Sequence, residues 1–260
     1  MDSENNTNDL QSDLIGKKVF FLYPAASVVN QVVFELVQNE YEAYTAKDHS
    51  RIAQLLKKYP DSIVFINTDE KISGTEWEKW INTVLSSTPK IKIGIFTSNN
   101  NEEFREKFTK NNRITCGFYT NKVDMSKITE SILEMLNEQN VKGRRKYLRA
   151  RTDSEPDAVI NIPHNGEFLN GVIKDISVVG VSCVFKHDPG LSKNSILKNV
   201  QIKLQSMILK VESVIFGSRE EGGEKIYVLV FTQRTDPTAR VKIRKYIQKN
   251  LQSKMDSEIS

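Results

Sequence analysis

The chain has only two cysteines and three histidines among 260 residues. Cys116 and Cys183 lie far apart, each inside an apolar segment (114–119 and 181–185). Buried free thiols in a reducing compartment are expected, and no disulfide framework. His49, His164 and His187 fall near predicted turns or element ends and are expected to be solvated. Cysteines and histidines so scattered lack ligand spacing, so no metal site is assigned. There is no glycine-rich phosphate loop and no Ser/His/Asp grouping, so no catalytic residue, no cofactor and no enzyme activity are expected. No apolar run approaches the roughly 18 residues that cross a bilayer as a helix, so no membrane span is predicted. Residues 1–14 are rich in Asn, Asp, Ser and Glu, with neither a basic start nor an apolar stretch. They read as a disordered leader rather than a secretory signal, and a cytoplasmic location is expected.

What is present fits a globular protein of two domains. Hydrophobic residues make up 38% and charged residues 27%, and the length allows two separate cores. The net charge of +4 conceals an asymmetry. Residues 1–140 hold 16 Lys+Arg against 20 Asp+Glu, and residues 141–260 hold 21 against 13. A basic second half points to an anionic partner, without choosing among nucleotide, nucleic acid and membrane surface.

In the first half, apolar runs at 17–22, 41–46, 62–67, 90–97 and 115–119 read as strands. They alternate with helical spacings over 26–38, 48–59, 74–85, 102–110 and 124–137. Five such alternations predict an α/β doubly wound parallel sheet over residues 15–139. In this sheet class, ligands sit beyond the C-terminal ends of the strands. The pattern resembles the receiver domain of response regulators. That resemblance implies an acidic pair after the first strand, where this chain has Tyr23 and Pro24. It implies an acceptor aspartate ending the third strand, where this chain has Ile66 or Asn67. Thr97 and Lys122 match the family's hydroxyl and lysine by type. Without paired carboxylates nothing holds a hard cation, and phosphoryl transfer lacks its nucleophile. The domain is therefore read as degenerate, serving contacts. Asp69 and Glu70 are expected in a solvated loop, and Trp77 and Trp80, on one helix face, in the core.

Residues 140–151 read as a linker carrying a basic run, in which six of ten residues from position 142 are Lys or Arg. Beyond it, over 152–253, the period changes to two. Strands are expected at 158–162, 168–176, 180–185, 199–204, 208–216 and 226–232, with Asn165-Gly166 and Glu221-Gly222-Gly223 as turns. This predicts a six-stranded antiparallel β-barrel. A terminal helix follows, capped by Asp236, with Pro237 in its first turn and Ala239, Ile243, Tyr246, Ile247 and Leu251 as its apolar stripe. Residues 254–260 are read as a tail.

Two motifs flank the start of this barrel. Arg145 and Arg149 form R-x-x-x-R, and Asp175, Ser177 and Gly180 form D/N-x-S-x-x-G between the second and third strands. A guanidinium pairs bidentately with phosphate or with the O6/N7 edge of guanine, and stacks on a base face. A carboxylate accepts from guanine N1–H and N2–H₂, a hydroxyl bonds phosphate or a base edge, and glycine admits close backbone approach. The bland alternative for Asp175 and Ser177 is an ordinary capped turn. The two motifs, in this order on a barrel pattern, resemble PilZ domains over residues 143–252.

That resemblance implies a receptor for cyclic di-GMP, with Arg144, Arg145, Arg149, Asp175, Ser177 and Gly180 as ligand-binding residues. An arginine just before R-x-x-x-R, here Arg144, implies a stacked ligand dimer. It further implies an effector that changes its interdomain arrangement on binding and acts on an unidentified downstream protein in motility, envelope or virulence processes. The alternatives are a ligand-independent PilZ-like scaffold and a nucleic-acid-binding response regulator. The second is disfavoured because no helix-turn-helix follows the first domain, so nucleic acid is not expected as a partner.

Overall fold

A computed structural model describes residues 16–109, 113–120, 122–152, 155–164 and 166–259. The predicted leader, Lys110 at the predicted end of the fourth helix, and Asn165 of the predicted hairpin turn lie outside them. The chain divides into two units, one ending at Lys146 and taking in the residues from Lys254 onward, the other Tyr147–Ser253.

In the first unit, β1 (Val19–Leu22), β2 (Ala43–Ala46), β3 (Ile63–Asn67), β4 (Lys92–Thr97) and β5 (Phe118–Thr120) form a sheet in the order β2-β1-β3-β4-β5. Every pairing is parallel. All four residues of β1, VFFL, are buried. A strand covered on both faces reads as a continuous apolar run, as this one does. Helix α1 runs through Ala26–Val28, a π-helical turn at Val29–Val33, and Phe34–Gln38, and starts without a side-chain cap. The later helices begin at local start signals. The Asp48 carboxylate accepts the Ser50 and Arg51 N–H groups at 2.9 and 3.0 Å and opens α2 (His49–Lys58). Ser73 and Glu76 make a capping box at α3 (Gly74–Ser87). Helix α4 is Glu102–Thr109, and Asp124 caps α5 (Met125–Glu138).

Trp77 is buried and Trp80 half-buried, their rings edge to face at 5.7 Å. Their indole N–H groups donate to the Glu70 and His49 carbonyls at 3.1 and 3.0 Å. His49 departs from the expected solvated position. It is half-buried, its Nδ1 lies 3.0 Å from the Tyr23 hydroxyl, and its ring packs against Tyr23 and Trp77. An imidazole with one polar tip and an aromatic face fits such a boundary, which its place at a helix start conceals.

The second unit is a ring of antiparallel strands. These are β7 (Val159–His164), β8 (Glu167–Ser177), β9 (Gly180–Phe185), β10 (Ile196–Leu204), β11 (Met207–Glu221) and β12 (Glu224–Phe231). They pair in the order β8-β7-β10-β11-β12-β9, and β9 returns to β8, closing a six-stranded barrel. Its interior is apolar, with Ile160, Ile173, Ile176, Ile202, Val211 and Leu229 buried. Cys183 is buried there too, its thiol pushed up to about 12 by loss of hydration. Two-residue turns join β8 to β9, β10 to β11 and β11 to β12, while residues 186–195 lead from β9 to β10. Gly166 has φ 85°, and Gly222 and Gly223 have φ 61° and 80°, values a hairpin of this kind requires. Helix α6 (Pro237–Ile259) begins at Asp236, whose carboxylate accepts the Thr238 N–H at 2.8 Å. It buries Ala239, Ile243, Tyr246 and Ile247 as expected, leaves Leu251 of the predicted stripe half-buried, and extends to Ile259 in the predicted tail.

One strand was not expected. β6 (Ala150–Arg151), at the end of the predicted linker, pairs with β8 as Ala150↔Ile176 and Arg151↔Asp175. The linker's beginning is also engaged: Gly16 and Lys142 form a β-bridge, and the Lys17 N–H donates to the Val141 carbonyl at 2.9 Å. Two-residue pairings carry no periodic signal, so composition alone shows only a basic run.

Candidate functional site

The site assembles at the end of β8. Cross-strand partners run Ile173↔Cys183 and then Asp175↔Ser182, so β8 gains one residue at Lys174. This bulge changes the parity of the strand. Ile173 and Ile176 stay in the core while Asp175 turns outward beside Ser182. The residue after β6 secures the bulge: the Thr152 N–H donates to the Lys174 carbonyl at 3.0 Å, and its hydroxyl donates to the Ile173 carbonyl.

Pairing of β6 with β8 brings Arg149 of the first motif to Asp175 of the second. The Arg149 guanidinium donates through Nη1 to Asp175 Oδ1 at 3.3 Å. The Ser182 hydroxyl donates to Asp175 Oδ2 at 2.7 Å. Asp175 therefore has one oxygen facing a cation and the other held by a buried hydroxyl. Arg144 and Arg145 are exposed, in the part of the chain assigned to the first unit, while Arg149 belongs to the second.

Ser177 and Gly180 are the paired residues that close the β8–β9 hairpin. Ser177 is buried, its hydroxyl donating to the Gly180 carbonyl at 3.2 Å and accepting the Val179 N–H at 3.4 Å. A Cβ on Gly180 would lie 2.4 Å from the Leu229 carbonyl oxygen, so glycine is needed for β9 to approach β12. Both residues shape the loop. Helix α6 braces it from outside: Arg240 donates to the Val178 and Thr232 carbonyls at 3.0 and 2.9 Å. The sequence motifs point to neither Ser182 nor Arg240. Period-two counting from Gly180 places Ser182 on its face, and that was the available signal. Arg240 is one of several basic residues on α6 and carries none.

At the C-terminal ends of β1, β3 and β4 the receiver-like chemistry is replaced. Asn67, not Ile66, ends β3 at the edge, and Ile66 is fully buried. The Asn67 side-chain amide donates to the Tyr23 carbonyl at 3.0 Å and accepts the Asp69 N–H at 3.2 Å. Asp69 is exposed as expected, but it is not a freely solvated loop residue. Its two carboxylate oxygens accept the Thr97 hydroxyl and the Ser98 N–H, each at 2.6 Å. Lys122 is exposed in the turn after β5. Tyr23 and Pro24 occupy the loop after β1, Tyr23 with φ 53°. Among the described residues no group of three or more His, Cys, Asp or Glu is placed to hold a metal, and no helix is long and apolar enough to cross a membrane.

These strand orders define the class: a doubly wound parallel α/β unit followed by a closed six-stranded antiparallel barrel with a terminal helix. Neither a protein-family model nor a curated protein sequence matches the chain. Solved structures do, and PilZ and receiver domains are both among them. The PilZ domain of YcgR from Escherichia coli, solved with c-di-GMP, aligns over 44% of this chain and 96% of its own, at 14% identity and a TM-score of 0.38. Inhibitor of motility MotI (DgrA) from Bacillus subtilis aligns over 43% of this chain and 53% of its own, at 18% identity and 0.36. The signal receiver domain of an HD domain-containing protein from Pseudomonas fluorescens Pf-5 aligns over 48% and 98%, at 13% identity and 0.40. This chain thus spans about half the length of MotI.

Proposed function

We propose that the chain is a cyclic di-GMP effector whose ligand sits on the outer barrel face at Asp175. The observation that carries this reading is the Arg149–Asp175 contact at 3.3 Å, because it puts a phosphate-binding cation beside a guanine-binding carboxylate. Asp175 accepts from guanine N1–H and N2–H₂, and Arg149 pairs with phosphate or with the O6/N7 edge. Arg145 lies four residues upstream, within about 14 Å of Arg149 along an extended chain. Arg144 and Arg145 close over the ligand from that segment, and Arg144 provides the further cation for a second, stacked molecule. Ser177 and Gly180 hold the hairpin that forms the floor.

Ordering residues 143–149 over the ligand would fix the two units relative to each other, and that change recruits a downstream protein. A bacterial, cytoplasmic effector of motility, envelope or virulence processes is the physiological form of this proposal. MotI, whose name describes inhibition of motility, makes motility the first process to examine.

Equilibrium dialysis against labelled cyclic di-GMP tests the reading. Retention that cyclic di-AMP and GTP fail to compete, and that R145A/R149A abolishes, supports it. Equal retention by wild type and the double variant refutes it.

A further inference from the structure

We infer that Ser182 is a positioning residue that sets the nucleobase preference of the site by fixing the Asp175 carboxylate. The inference rests on the cyclic di-GMP reading above and goes beyond its motif residues. Ser182 stands between Val181 and Cys183, both buried, and is itself 3% exposed. A hydroxyl in such a place requires a partner within the protein. Its partner is Asp175 Oδ2 at 2.7 Å, across the register that the bulge at Lys174 creates.

The other oxygen, Oδ1, faces Arg149, whose side chain is 47% exposed. One end of the carboxylate is thus anchored inside the sheet and the other is presented outward. The consequence is chemical. Guanine offers two adjacent donors, N1–H and N2–H₂, which a carboxylate held in one orientation accepts together. Adenine offers an acceptor at N1 beside its N6 donor, and that lone pair meets a carboxylate lone pair. Discrimination of this kind depends on orientation as well as charge. With Ser182 removed, Asp175 turns toward Arg149 and a fixed acceptor edge is lost.

Calorimetric titration of cyclic di-GMP and cyclic di-AMP into wild type, S182A, S182T, D175A and D175A/S182A tests this. Circular dichroism on each variant monitors folding. We expect S182A to weaken cyclic di-GMP about tenfold, the scale of one hydrogen bond to a charged group. We expect its preference over cyclic di-AMP to narrow, S182T to restore both, and S182A to add nothing in the D175A background. An S182A protein that binds like wild type overturns the inference alone. So does an effect of S182A that persists without Asp175, or a loss of affinity with unchanged preference. Wild type that binds neither nucleotide overturns the function itself, and the inference with it.

Discussion

Arg149 Nη1, just before β6, and Asp175 Oδ1 of β8, 26 positions apart in sequence, lie 3.3 Å apart. Arg149 already has in Asp175 a partner of the charge it would meet in a phosphate, and Asp175 has in Arg149 a hydrogen-bond donor of the kind it would meet on a guanine edge. Arg149→Ala is expected to weaken cyclic di-GMP binding by about 10- to 100-fold, the range for a charge-assisted hydrogen bond. Because the pair is solvent-exposed, the same substitution should change unfolding free energy by no more than about 1 kcal/mol. Calorimetric titration and urea denaturation of the one variant measure both.

Gly180 is held by packing. A methyl group there would sit 2.4 Å from the Leu229 carbonyl oxygen, which belongs to a paired strand. Gly180→Ala is expected to destabilise the barrel by about 2–3 kcal/mol, lowering its midpoint by roughly 10 °C or more. Thermal unfolding followed by circular dichroism reads this, and an unchanged midpoint would contradict the β9–β12 approach.

Asp188 ties the chain after β9 back to β12. Its carboxylate accepts from Lys225 Nζ at 2.8 Å, from the Tyr227 hydroxyl, and from the Gly190 N–H at 3.0 Å. These donors, Lys225 first, hold its pKa below the ordinary range near 4. A carboxyl depressed in the folded state stabilises above its unfolded pKa and loses that contribution as pH falls. Wild type should therefore lose stability as pH drops below about 4, and Asp188→Asn should lose less over the same interval. Parallel acid-limb curves for the two proteins would contradict this.

The first unit should not accept a phosphoryl group. Asn67 ends β3 with an amide, and the Asp69 oxygens are engaged by Thr97 and Ser98. Incubation with acetyl phosphate and Mg²⁺ is expected to leave the intact mass unchanged. A gain of one phosphoryl group, lost in Asp69→Ala, would contradict this.

Much of the architecture was legible because it is periodic. Runs such as 62–67 could only be doubly covered strands, and the turns at Gly166 and Gly222-Gly223 announced their hairpins. The doubly wound and barrel patterns followed from them. What escaped was aperiodic. β6 is two residues long, and its pairing partner is fixed by Thr152 bonding to the bulge. The bulge at Lys174 is invisible in a run that looks like any other strand, yet it decides which way Asp175 faces. The motifs named Asp175 and Arg149 but not Ser182, since period-two counting gives that serine a face but not its partner across the sheet. His49 was misread because a polar residue opening a helix looks solvated until the aromatic rings around it are placed.

In the proposed function Arg145, Arg149 and Asp175 together hold a cyclic dinucleotide of guanine. Calorimetric titration of cyclic di-GMP into the full chain tests it most directly. Saturable binding at micromolar or lower concentration is expected, with two ligands per chain and none in R145A/R149A. No heat at high micromolar ligand, from protein that is folded by circular dichroism, would contradict it.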